Sequence, residues 1–102
     1  MATFDAILIP ATARGTQIAT LASVASTAAQ AVNNYGIFAI NATGDCTIRF
    51  GLTGMSAADA TDFRIPGNTT VIFDMGREFT HFRVFNATAA SVDVSWLRLS
   101  KS

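Results

Sequence analysis

A chain of 102 residues is long enough to enclose one hydrophobic core and too short for two, so residues 1–102 are expected to form a single domain. Half of the residues are hydrophobic and only 14% are charged, against about 25% in an average soluble domain, and mean hydropathy is +0.36. That surplus predicts apolar surface covered by copies of the chain or by an assembly, whereas zero net charge and singly spaced arginines argue against binding nucleic acid.

The basic residues are unevenly chosen. Arg14, Arg49, Arg64, Arg77, Arg83 and Arg98 stand against one lysine, Lys101. Interfaces favour arginine over lysine because its planar head pairs in fixed geometry and is weakly hydrated. A genome that prefers arginine codons would give the same count. The run Ala6-Ile7-Leu8-Ile9 is far shorter than the roughly 20 apolar residues of a membrane helix. No basic residue precedes Arg14, so no secretory leader is expected. The single Cys46 reads as a small buried hydrophobe, in keeping with folding in a reducing cytoplasm.

In chain order, Phe4 to Ile9 reads as a short strand or an extended arm closed by Pro10, so 1–15 is expected as either an N-terminal arm or an edge strand. Residues 16–32 are rich in Ala, Ser and Thr and carry no charge. Ile18, Leu21 and Val24 could line a helix, but an uncharged surface helix without a capping box is unusual, and two strands near 16–22 and 26–32 are favoured. Asn33-Asn34 marks a turn. Strands follow near 35–41 and 46–50, then a small, polar loop from Gly51 to Asp62. Phe63-Arg64-Ile65 is a short strand stopped by Pro66-Gly67-Asn68, and further strands are expected at 69–74, 79–85 and 91–99.

Two stretches share one plan. Phe38 to Thr43 leads into Cys46 to Phe50, and Phe82 to Thr88 leads into Val92 to Trp96, each through Asn-Ala-Thr. Period-two alternation on both sides reads as a pair of β-hairpins, each with one buried face. About eight short antiparallel strands give an all-β fold, a single β-sandwich of jelly-roll type.

Chemistry-bearing residues are sparse. His81 is the only histidine, so a cupin-like metal site is not available, and as a base for Cys46 or a serine it lacks a third orienting group. Asp59, Asp62 and Asp74 could in principle gather Ca²⁺, though without an EF-hand pattern. Gly51-Leu52-Thr53-Gly54 lacks the lysine and spacing of a phosphate loop. Three Asn-x-Thr sequons, at Asn41, Asn68 and Asn86, read as turns. Trp96, Phe82 and Tyr35 could form a sugar platform, but Trp96 is in phase with Val92 and Val94 and reads as core. No enzyme, metal or cofactor is expected.

The order of the pieces carries a resemblance. Arg49-Phe50-Gly51, a loop with Ala57-Ala58-Asp59, Ile65-Pro66-Gly67, Val71-Ile72-Phe73-Asp74 and a final Val-x-Val-x-Trp strand follow in turn over residues 35–97. In that order and spacing the chain resembles the small β-sandwich virion proteins of tailed bacteriophages, including head decoration (cement) proteins. The resemblance implies a non-enzymatic homo-oligomer, most simply a homotrimer, made in the host cytoplasm and seated on the major capsid protein at the virion surface. Related sandwiches in tails and fibres make a tail component the alternative within that class, and a carbohydrate-binding module is the alternative outside it. The segment Phe4, Ile7, Ile9 with Arg14 is the expected assembly contact, as a strand or arm added to a neighbour. The same segment could equally be the first strand of its own sheet.

Overall fold

The computed structural model describes residues 8–10, 15–22, 25–32 and 36–101. Among these there is no helix, and nine strands form two antiparallel sheets: β1 (Leu8–Pro10), β2 (Thr16–Leu21), β3 (Gln30–Ala31), β4 (Ile37–Ala42), β5 (Cys46–Gly51), β6 (Phe63–Ile65), β7 (Thr69–Asp74), β8 (His81–Asn86) and β9 (Val92–Lys101). The first sheet runs β1-β9-β4-β7, with β2 beside β1 on the same flank of β9, and the second runs β3-β8-β5-β6.

The pairing is nested. β5 pairs with β6, β4 with β7, β3 with β8 and β2 with β9. This is one long antiparallel ribbon with the β5–β6 connection at its tip. Rolling the ribbon brings β4 against β9 and β5 against β8, which closes the jelly roll.

That topology corrects the hairpin reading. β4 and β5 belong to opposite sheets, as do β8 and β9. The two Asn-Ala-Thr stretches are corners where the chain changes sheet, and the two similar stretches lie alongside each other. Thr43 N–H donates to the Asp93 carbonyl (3.0 Å) and Ala87 N–H to the Asp45 carbonyl (3.3 Å), tying corner to corner. Alternation reports which side of a strand is buried, and opposite walls of one sandwich give the same alternation as a hairpin.

The strand expectation for 16–32 holds, with less sheet than expected. β3 has two residues, and Ser26 contributes only an isolated bridge to Phe85. The gap between is held by Thr27, whose N–H donates to the Val84 carbonyl (2.8 Å) while its Oγ1 accepts Val84 N–H (3.0 Å). β8 starts at His81, two residues later than expected, after the turn through Gly76 at φ 61°.

Phe38, Ile40 and Ala42 of the first sheet face Cys46, Ile48, Phe82 and Val84 of the second, and Val92, Val94, Trp96 and Ile65 complete the core. Phe38 is the hub: its ring stacks on Phe82 at 4.6 Å and 6°, lies 5.6 Å from Phe73, and meets Trp96 edge-on at 6.0 Å. The Trp96 indole N–H is buried and has no acceptor among the described residues. The lower end is pinned by Asn86, fully buried, whose Nδ2 donates to the carbonyls of Leu21 (3.1 Å), Ala22 (3.1 Å) and Ala90 (2.7 Å). Its Oδ1 accepts the N–H and hydroxyl of Thr88.

The Pro66-Gly67-Asn68 turn lies on the first corner. A Cβ at Gly67 would stand 2.8 Å from the Gly44 backbone, so only glycine fits, and Asn68 takes the left-handed φ of 57° that asparagine tolerates. Asp45 accepts the Gly67 N–H (2.8 Å) and pairs with Arg64 (3.0 Å).

Candidate functional site

Because β7 ends one sheet and β6 the other, one long side of the sandwich has no covering strand among the described residues. Interior-phase side chains at that side are therefore partly open. Phe63 is opposite Ile48 in the β5–β6 ladder and in phase with buried Ile65, yet it is 63% exposed. Its ring meets Phe73 edge-on at 6.0 Å; Phe73 meets Phe50 at 5.2 Å; Phe50 lies 6.2 Å from Phe79, which is 39% exposed. Phe38 touches both Phe50 and Phe73, so the cluster is the core's aromatic system continued to the surface. Leu52 and Ile72, at 57% and 54%, are exposed elsewhere on the loop after β5 and on the outer side of β7.

Polar groups beside this cluster are occupied with holding the 52–62 loop. Arg49 reaches Asp62 (3.0 Å), Asp59 (3.2 Å), Ser56 Oγ (3.1 Å) and the Ala57 carbonyl (2.8 Å). Arg83 donates to the carbonyls of Thr27 (2.8 Å) and Met55 (3.1 Å). The Thr61 hydroxyl, then the Thr61 N–H, then Arg49 hold the Asp59 carboxyl below its ordinary range. The Gly67 N–H and Arg64 do the same for Asp45. A carboxyl depressed on folding adds stability above its unfolded pKa, near 4, and loses it as pH falls through the folded value. Both groups are solvent-exposed, so the effect is small. The melting temperature is expected to be level near neutrality and to fall below about pH 4, and Asp59→Asn with Asp45→Asn should flatten that fall in a pH series of thermal melts.

The residues singled out for chemistry do not converge. Cys46 is opposite Asn86 and His81 is opposite Gly51, five residues apart along one ladder, about 17 Å at the strand rise. Burial pushes the Cys46 thiol up to about 11, so at neutral pH it is a protonated thiol and a poor nucleophile. The His81 ring instead lies 2.6 Å from the Thr80 hydroxyl. Asp59 and Asp62 meet Arg49, while the Asp74 carboxylate accepts the Gly76 N–H (2.8 Å) at a separate turn. No group of three His, Cys, Asp or Glu able to hold a metal ion occurs among the described residues. A shallow depression on the outside of the first sheet is lined by Gly15, Ala39, Asn41, Thr70, Ser95 and Leu97, none of them ionisable.

Trp96 and Phe82 are both interior, which removes them from any sugar platform; Tyr35 lies outside the described residues. Of the sequon asparagines, Asn86 is sealed in the core, Asn68 forms the turn, and Asn41 bonds Thr70 Oγ1 (3.1 Å) across β4–β7. Of the expected assembly contacts, Ile9 falls in β1, opposite Ser100 of its own chain; Phe4, Ile7 and Arg14 lie outside the described residues.

The exposure of Phe63 and Phe79 was not legible beforehand. Phase with Ile65 marks Phe63 as interior, and only the position of β6 at the end of its sheet opens it. No known protein family, no curated protein and no solved structure matches the chain.

Proposed function

We propose that this chain is a non-enzymatic structural subunit that attaches to a larger protein shell: a capsid decoration protein of the tailed-phage type, made in the host cytoplasm and carried as a homo-oligomer on the virion surface. The observation behind this reading is the aromatic cluster that ends in Phe63 and Phe79 at the open side of the sandwich. Rings held by their neighbours lose little entropy when covered, and aromatic anchors of this kind carry most of the energy of protein contacts. The resemblance itself rests on the order of short sequence words between residues 35 and 97, and a β-sandwich is the fold it implies.

The mechanism is thermodynamic. A ligand that binds the assembled shell and not its dissociated coat subunits stabilises the shell by mass action, and burying roughly 800 Å² on each side suffices for a stable contact. Mixing the protein with undecorated heads of the cognate phage should give co-sedimentation and a raised shell melting temperature, and Phe63→Ser should weaken both. Absence of both effects with wild-type protein would remove the head reading, and binding to purified tails would establish the tail alternative.

A further inference from the structure

The four sheet margins differ in how they are protected. β1 has three residues and ends in Pro10, β3 has two residues, and β2 carries a register shift between Ile18 and Leu21. β6 has three residues, stops at Pro66, and bears the Arg64–Asp45 ion pair. These are the usual devices that keep a margin from templating another strand. β7 has none of them: Thr69-Thr70-Val71-Ile72-Phe73-Asp74 is six residues long, regular against β4, and free of Lys, Arg and Pro.

The hydrogen-bond phase shows what this margin offers. Thr43 N–H donates to the Asp93 carbonyl, so with Asn41 opposite Ser95, residues 39, 41 and 43 turn their main chain toward β9. Residues 38, 40 and 42 therefore turn toward β7. The bond from Met75 N–H to the Gly36 carbonyl gives the same phase from the other side. Thr69, Val71 and Phe73 thus bond to β4, and Thr70 and Ile72 direct N–H and C=O away from the sheet, toward no strand among the described residues.

We propose that a second copy of this chain covers that margin, β7 pairing antiparallel with β7 about a two-fold axis at Ile72. The segment is self-complementary in this register. Ile72 meets its own copy, Val71 meets Phe73, and Thr70 meets Asp74, so a hydroxyl and not a second carboxylate stands opposite the acid. Moving the axis to Val71 or Phe73 runs the ladder into Asn68 at φ 57° or Gly76 at φ 61°, which end the extended backbone. Pairing also covers Ile72, and Phe63, leaning on Phe73, sits beside the seam. The contact is isologous and closes as a dimer; the trimer implied by the resemblance would need a separate three-fold surface.

The test is the solution mass of the full chain by sedimentation velocity across a concentration series. A species of twice 10.8 kDa is expected, and Ile72→Lys, which sets two ammonium groups across the axis, should weaken it at least ten-fold with the strand content of the folded monomer unchanged. Ile72→Cys should form an intermolecular disulfide on mild oxidation, while Thr70→Cys, opposite Asp74, should not. A monomer at 100 µM overturns the proposal. So does an oligomer whose mass is indifferent to Ile72→Lys, or Thr70 and Ile72 amides protected from hydrogen exchange only when shells are present. Shell binding by a chain that stays monomeric would sink this pairing and leave the decoration reading intact.

Discussion

Phe38→Ala is expected to lower the melting temperature by on the order of 20 °C and to leave part of the protein unfolded at 37 °C. Phe38 is fully buried and its ring contacts Phe50, Phe73, Phe82 and Trp96, two of them from each sheet. Truncating a core phenylalanine costs about 3–5 kcal/mol, because the lost transfer energy adds to a cavity the neighbours cannot fill. A domain of this size has about 5–15 kcal/mol in all, and about 1 kcal/mol moves its midpoint by roughly 4–8 °C. Phe38→Leu, which keeps most of the volume, should recover more than half of the loss. Differential scanning calorimetry of the three proteins decides it. A shift of under 5 °C for Phe38→Ala would mean that the two sheets are not held together at this ring.

The second large effect is expected at Asn86. Substituting Leu preserves volume but strands the carbonyls of Leu21, Ala22 and Ala90 and the Thr88 N–H. Each unsatisfied buried group costs about 1–3 kcal/mol; with Ala22, Ala90 and Thr88 partly reachable by water, the total is about 3 kcal/mol. Asn86→Asp should be worse at pH 7, because a carboxylate would face three carbonyl oxygens, and better at pH 4, where the protonated acid can donate once. Chemical denaturation at both pH values separates the two: Leu should be insensitive to pH and Asp should improve on acidification.

How far the sequence could be read follows from what alternation encodes. Val92, Val94 and Trp96, or Phe38, Ile40 and Ala42, announce strands and their buried side, and the Pro66-Gly67-Asn68 turn announces itself by residue type. Which strand lies beside which is another matter. Asn41 to Thr43 looks like a hairpin turn, but a corner between sheets uses the same small, polar residues, and the choice is made by Gly44 packing under Gly67 and by Asp93 bonding Thr43, far away in the chain. β3 is faint because Ala and Ser bury little, and its place is set by Thr27 and Gln30 against β8. The aromatic cluster was visible as composition and invisible as surface, since exposure of Phe63 depends on where the sheets stop.

The nested ribbon also orders the way the protein comes apart. Its rungs join residues ever more distant along the chain: Ile48 with Phe63, Ile40 with Val71, Gln30 with Phe82, and Ile18 with Val94. Closing each wider loop costs more chain entropy before any contact repays it, so assembly proceeds from the β5–β6 tip outward and is slow for so few residues. The outermost rung forms last and opens first. Amide exchange should therefore be fastest along β1, which joins Leu8 to Lys101, and next along β2, and slowest along β5 and its neighbour β8, a gradient that reads the winding of the roll directly.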